Sequence, residues 1–127
     1  MVSPTNSRYF TRRGGDGSAV YLTGSHTWHN LMDIGRGDPP PVMDYYAYLD
    51  FLQARGHNFF RLWTWEQTHN YVEESFTDVW LQPHPWQRTG PGNANDGKLK
   101  FNLTLFNQAY FDRMRSRIID AGNRGIY

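Results

Sequence analysis

The apolar positions of this chain change period several times, and each change marks an element. Residues 8–23 read as a β-hairpin. Arg8-Tyr9-Phe10-Thr11 and Ala19-Val20-Tyr21-Leu22-Thr23 flank the turn-forming run Arg13-Gly14-Gly15-Asp16-Gly17. The second strand runs into Gly24-Ser25-His26-Thr27-Trp28, a strand end with polar and aromatic side chains, and residues 33–41, rich in Gly, Asp and Pro, read as a loop. Tyr45, Tyr48, Leu49 and Leu52 then recur at i, i+3, i+4 and i+7, which predicts a helix over residues 44–55 with Gly56 as its left-handed stop. The near-continuous apolar start of Asn58-Phe59-Phe60-Arg61-Leu62-Trp63-Thr64-Trp65 predicts a strand buried on both faces, as in a parallel sheet. Residues 67–104 read as one long excursion that includes Pro83, Pro85, Trp86 and the Gly- and Asn-rich run from Gly90 to Gly97. Loops of that length are commonly functional or disordered, and Trp80 and Trp86 favour an ordered, functional one. A second helix is predicted over residues 108–121, with Asn107 as N-cap, an apolar stripe of Phe111, Met114, Ile118 and Ala121, and Gly122 as its stop. Gly125-Ile126-Tyr127 reads as the opening of another strand.

The order helix end, Gly, polar residues, strand occurs twice, over residues 49–59 and 118–126. Repeated βα units imply a parallel sheet with right-handed crossovers. The fold class expected is therefore α/β, the N-terminal part of a (β/α)8 TIM barrel: a β-hairpin plus about two βα units, incomplete because a closed barrel typically takes roughly 250 residues. Residues 1–7 are expected to be a disordered tail, and residues 8–127 the barrel portion.

Composition narrows the classes of function. With 127 residues the chain suits one domain, and 39% apolar against 20% charged residues is the balance of a globular protein. The net charge of +1 argues against a nucleic-acid partner or a membrane surface recognised by bulk electrostatics. The absence of cysteine excludes a disulfide framework and a thiolate metal site. No apolar run approaches the roughly 18 residues of a transmembrane helix. Met1-Val2-Ser3-Pro4-Thr5-Asn6 lacks the charged and apolar regions of a signal peptide, and Asn102-Leu103-Thr104 would matter as a glycosylation site only in a eukaryotic secretory pathway. The unusual figure is 17% aromatic residues, with all five Trp between positions 28 and 86. Several of these rings sit in segments too rich in Pro, Gly and Asn for core strands.

The candidate chemistry gathers where the predicted strands end, the place where barrels present their active sites. Arg61 there could hold a catalytic carboxylate ionised through a bidentate contact, or make an ordinary ion pair inside the fold. Trp28, Trp63 and Trp65 offer indole faces on which the axial C–H bonds of a sugar ring stack, or else serve as core. Strand alternation sends Arg61, Trp63 and Trp65 to one face. Glu66 could bind substrate hydroxyls or lie exposed in a loop. As half of a general acid and nucleophile pair it would need a partner about 5 to 9 Å away, and nothing in the sequence nominates one. His26 is read as a hydrogen-bonding partner for substrate, and Trp86 as a further ring for it. No metal site is expected. The five His lack converging spacing, and His57 lies at the wrong end of its strand. The glycines of residues 90–97 are not a phosphate loop, since no Lys-Ser/Thr follows them. No cofactor is expected.

Three stretches together resemble a known family: Tyr21-Leu22-Thr23-Gly24-Ser25-His26-Thr27-Trp28, residues 44–52, and Gly56-His57-Asn58-Phe59-Phe60-Arg61-Leu62-Trp63-Thr64-Trp65-Glu66. They are similar to the N-terminal part of cellulase-like, apiosidase-like glycoside hydrolases of the clan-A (β/α)8 type. Pro85-Trp86-Gln87-Arg88-Thr89-Gly90-Pro91-Gly92 and Tyr110-Phe111-Asp112-Arg113 continue the likeness, which runs from about Arg8 to the end. The resemblance implies a retaining mechanism with two glutamates, after the fourth and seventh strands, and matches Arg61 to the arginine that contacts the nucleophile. It also implies an exported bacterial protein, secreted or periplasmic, whose partners are an oligo- or polysaccharide substrate, the rest of the barrel and often a C-terminal β-domain. Neither catalytic glutamate matches a position here, so the 127 residues alone are expected to be inactive as a hydrolase. Two rival readings use the same residues. One is a non-catalytic carbohydrate-binding module with the Trp cluster as its platform. The other is a small three-layer α/β domain with no sugar role, which leaves the aromatic, Pro-rich loop unexplained.

Overall fold

Two helices form where apolar spacing places them in this computed structural model, which describes residues 1–25, 27, 29–69 and 78–127. Helix α1 (Tyr45–Ala54) is capped by Asp44, whose carboxylate accepts from the Ala47 amide at 2.9 Å, and it buries Tyr45, Leu49 and Leu52. Helix α2 (Gln108–Asn123) begins after Asn107, but that side chain does not cap it; its Nδ2 donates instead to the His84 carbonyl at 3.0 Å. Helix α2 buries Tyr110, Arg117 and Ala121, while Phe111 and Met114 of the expected stripe pack half-buried against the core and Ile118 is exposed. Arg117 is the member of this face that apolar spacing does not reveal. Its Nη1 donates to the Asn30 carbonyl at 2.5 Å, its guanidinium lies 4.7 Å from the Tyr45 ring centre, and the Tyr45 hydroxyl donates to the Arg117 carbonyl at 2.9 Å. These bonds satisfy the buried polar groups, so a cation can occupy a core position.

The two helices end alike. Gly56 and Gly125 take φ of 68° and 71°, a region costly to any residue with a Cβ. His57 N donates to Leu52 O at 2.9 Å, and Ile126 N to Ala121 O at 3.0 Å, closing a Schellman motif in each case. Gly122, the expected stop of α2, lies within the helix.

The β-structure corrects the expected fold. Strands β1 (Phe10–Thr11) and β2 (Ala19–Val20), β3 (Asp33–Arg36) and β4 (Val79–Gln82), and β5 (Trp86–Asn93) and β6 (Leu99–Phe106) form three separate two-stranded antiparallel sheets. Short antiparallel pairs with two helices and no closure are not part of a TIM barrel, and the expected α/β barrel portion is overturned. Residues 33–41 hold β3 rather than a simple loop, and the supposed excursion holds β4, β5 and β6. Residues 58–65 run extended but form no named strand. Side chains take the place of a neighbouring ladder there. Asn58 Nδ2 donates to Tyr21 O and its Oδ1 accepts from Thr23 N, both at 2.9 Å; Asn30 Nδ2 donates to Arg61 O at 2.5 Å and its Oδ1 accepts from Trp63 N at 2.8 Å. The reciprocal bonds Phe60 N to Tyr127 O (3.1 Å) and Tyr127 N to Asn58 O (2.8 Å) make one parallel contact, too little for a sheet. Gly24 permits the close approach of the two segments, because a Cβ there would lie 1.6 Å from Phe59 O. At the N-terminus, Val2 bridges Phe10 and Ser3 N donates to Tyr9 O at 2.8 Å.

The core has two parts. Tyr45, Leu49, Leu52, Phe60, Ala121 and Ile126 form one; Leu31, Met32, Val79, Leu81 and Tyr110 form the other, and Leu62 packs against both. A side chain such as Leu49, fully buried, contributes about 2 kcal/mol. Between helix and sheet, buried Asp33 accepts from Arg113 Nη2 at 2.8 Å and from the Met43 amide at 2.9 Å, with Arg117 Nη2 3.9 Å away. This fixes α2 over β3 and thereby sets where Tyr110 points.

Candidate functional site

Asn30 and Met32, both 0% exposed, set the aromatic end of residues 58–65. Asn30 clamps the backbone on either side of Leu62, and Met32 Sδ receives the Trp65 amide at 3.1 Å and the Thr64 hydroxyl at 3.7 Å. Tyr110, held on α2, donates its hydroxyl to Thr64 Oγ1 at 3.0 Å. With the backbone fixed, the Trp63 and Trp65 rings lie 6.1 Å apart at 30°, and the Arg61 guanidinium stands 4.0 Å from the Trp63 ring centre. Arg61, Trp63 and Trp65 thus contact one another in series, and Trp65 also packs half-buried against the core. Arg61 itself is exposed, and its contact is the electron-rich face of an indole. It makes no ion pair with a carboxylate among the described residues.

A cavity of about 250 Å³ lies beside this surface, lined chiefly by Trp65, Glu66, His84, Trp86, Phe101 and Tyr110. Trp86 opens β5 and Phe101 sits on β6, so the hairpin forms one wall and residues 64–66 the other. The structure therefore brings Trp65, Glu66 and Trp86 together, with Trp63 and Arg61 adjoining. His26 and Trp28 lie outside the described residues.

His84, Phe101 and Tyr110 were not nominated by the sequence. The signal for Phe101 was present: Leu99-Lys100-Phe101-Asn102-Leu103-Thr104-Leu105 alternates apolar and polar with the period of a strand. His84 carried no comparable mark. It is buried, and its Nε2 donates to Leu81 O at 2.9 Å, which leaves Nδ1 of the neutral ring as an acceptor. Burial pushes its pKa down, so the neutral form holds at pH 7.

A second cavity, about 410 Å³, shares His84, Trp86 and Phe101 with the first and extends to Trp80, Arg88 and Lys98. Its floor is cationic side chains over rings: Arg88 lies 4.1 Å from the Phe101 centre and Lys98 4.3 Å from that of Trp80. Each cation is paired. Asp96, 5% exposed, takes both Arg88 nitrogens, and Asp38 takes Lys98. Burial alone would raise the Asp96 pKa. The bonds from Arg88, the Thr68 hydroxyl (2.6 Å) and the Lys98 amide (3.1 Å) outweigh it and hold the group at about 2.

The arrangement is suited to binding. Aromatic faces and a few fixed polar groups line a concave surface, as small-molecule sites do. Among the described residues, Glu66 is the one carboxylate lining the smaller cavity. Among the described residues no group of three His, Asp or Glu converges as a metal site would require, and no helix is long and apolar enough to cross a membrane. Compared with family models, with curated proteins and with solved structures, the chain finds no match in any of the three.

Proposed function

We propose that this chain binds carbohydrate through the cavity between Trp65 and Trp86, as the substrate-binding part of a glycoside hydrolase. The observation that carries the binding role is the convergence of these two indoles, distant in sequence, on one cavity with Glu66 and His84. Sugar rings present C–H faces to aromatic rings and hydroxyls to carboxylate and imidazole acceptors, so both kinds of group have a use here. The glycoside hydrolase setting rests on the resemblance of residues 21–28, 44–52 and 56–66 to that family. Binding is the role assigned to this chain; among the described residues Glu66 is the one carboxylate lining the cavity, and a two-carboxylate mechanism needs a second.

Calorimetric titration against a broad panel of plant and microbial glycans tests the reading. At least one glycan is expected to bind, and Trp86→Ala to weaken that binding about tenfold, a loss of about 1.4 kcal/mol. A panel on which nothing binds sinks the proposal. A hydrolysis assay on the same panel is expected to show no cleavage; cleavage by this chain would move Glu66 from binder to catalytic group.

A further inference from the structure

The extended segment that carries Trp63 and Trp65 has two backbone edges, because alternate residues of an extended chain turn their N–H and C=O groups to opposite sides. One edge is taken. Asn30 holds Arg61 O and Trp63 N, and Met32 Sδ accepts from Trp65 N. The other edge begins with the bond from Phe60 N to Tyr127 O and then runs open. Phe60 O, Leu62 N, Leu62 O and Thr64 N fall on it, and none of the four has a hydrogen bond among the described residues. Leu62 is half-buried and Thr64 exposed.

Beside Phe60 and Leu62 is an apolar cavity of about 290 Å³, whose other walls include Ile118, Gly122 and Ile126. Gly122 lies within α2 and does not take a positive φ, so the backbone there does not call for glycine. Glycine inside a helix costs stability relative to alanine. A Cβ at this position meets nothing within 4 Å, so what the missing side chain leaves is space in the cavity.

Free donors and acceptors at the repeat of a strand match one kind of ligand, another extended polypeptide backbone, and the apolar cavity takes one of its side chains. We propose that the edge from Phe60 to Thr64 docks an extended peptide of a partner protein by strand addition, with a branched apolar side chain of that peptide seated against Ile118, Gly122 and Ile126. In the parallel alignment that Tyr127 already makes, two alternate peptide residues answer all four groups. Their N–H groups donate to Phe60 O and Leu62 O, and their carbonyls accept from Leu62 N and Thr64 N. The edge meets the sugar-binding cavity only at Thr64, so the two readings stand or fall separately.

The test adds a capped hexapeptide alternating valine and threonine to the unaltered chain and follows amide hydrogen exchange by NMR. Binding at about 1 mM or tighter is expected, with exchange at the Leu62 and Thr64 amides slowed about tenfold or more. The same peptide with alternate amides N-methylated is expected to bind about tenfold more weakly. So is the unmodified peptide to Gly122→Leu, whose new side chain enters open space. No binding at about 1 mM overturns the proposal, as does binding that leaves the Leu62 and Thr64 amides unchanged. Undiminished binding to Gly122→Leu overturns the seating of the side chain. If those two amides are instead protected in the chain alone as its concentration rises, the edge pairs with a second copy, and a partner peptide is the wrong occupant.

Discussion

The two walls of the smaller cavity are built by different means. Trp86 and Phe101 ride on β5 and β6, paired strands whose registers run from Trp86–Phe106 to Asn93–Leu99 with irregularities between. Trp63 and Trp65 ride on an extended segment without a named strand partner, held by Asn58 at one end and by Asn30 and Met32 at the other. A ladder spreads its stability over many similar bonds. A clamped segment concentrates it in a few side chains: the two Asn each engage a donor and an acceptor, and the Met32 sulfur accepts twice. The difference predicts where substitutions hurt: at single residues for the clamped wall, and almost nowhere on the exposed face of the hairpin.

Four substitutions sharpen that contrast. Gly24→Ala should be the most damaging, costing about 4 kcal/mol or more, because the new methyl meets the Phe59 carbonyl and backbone must move. Urea unfolding checks this, and a loss under about 1 kcal/mol would mean the two segments are not clamped together. Asn30→Ala strips partners from Arg61 O and Trp63 N and is expected to cost about 2–3 kcal/mol, with a change in Trp fluorescence. On the hairpin side the carboxylate to test is Asp96, at the β5–β6 turn. Its native pKa of about 2 lies below the ordinary carboxylate value of 3.8, so its stabilisation is present above pH 4 and is lost as pH falls toward 2. The amount is about 2 kcal/mol. Asp96→Asn should flatten stability against pH across that window, whereas any acid sensitivity from buried His84 falls at higher pH and should survive. Leu105→Thr, on exposed β6, is expected to change stability by about 0.5 kcal/mol or less. A large loss there would show the hairpin to be as fragile as the clamped wall.

The helices were legible because local rules decide them: the spacing of Tyr45, Leu49 and Leu52, the Asp44 cap and the Gly56 stop all lie within a few turns. The strands were not, because pairing is decided by partners far away in sequence. The apolar run of residues 58–65 has the composition of a central parallel strand, yet the Asn30 side chain takes Arg61 O and Trp63 N, and the Asn58 side chain ties the run to Tyr21 and Thr23. Composition could not show that Asn30, more than twenty residues earlier, faces it. Residues 99–106 carried a clear alternation that was masked by the Gly and Pro residues just before them. At the site, Trp65, Glu66 and Trp86 were nominated and do converge, while Arg61 was expected against a carboxylate and lies over Trp63. His84 was illegible because its value comes from the bond that fixes its tautomer.

The reciprocal clamps of Asn30 and Asn58 also have a consequence for descent. Only a carboxamide offers one donor and one acceptor at this reach, and Gln sets them a methylene further out. A lineage that keeps this wall should therefore hold Asn at both places through long divergence, while the solvent face of β6 drifts freely among polar and apolar residues. An alignment of homologues would show two fixed columns, a pattern easily mistaken for catalysis but owed to scaffolding.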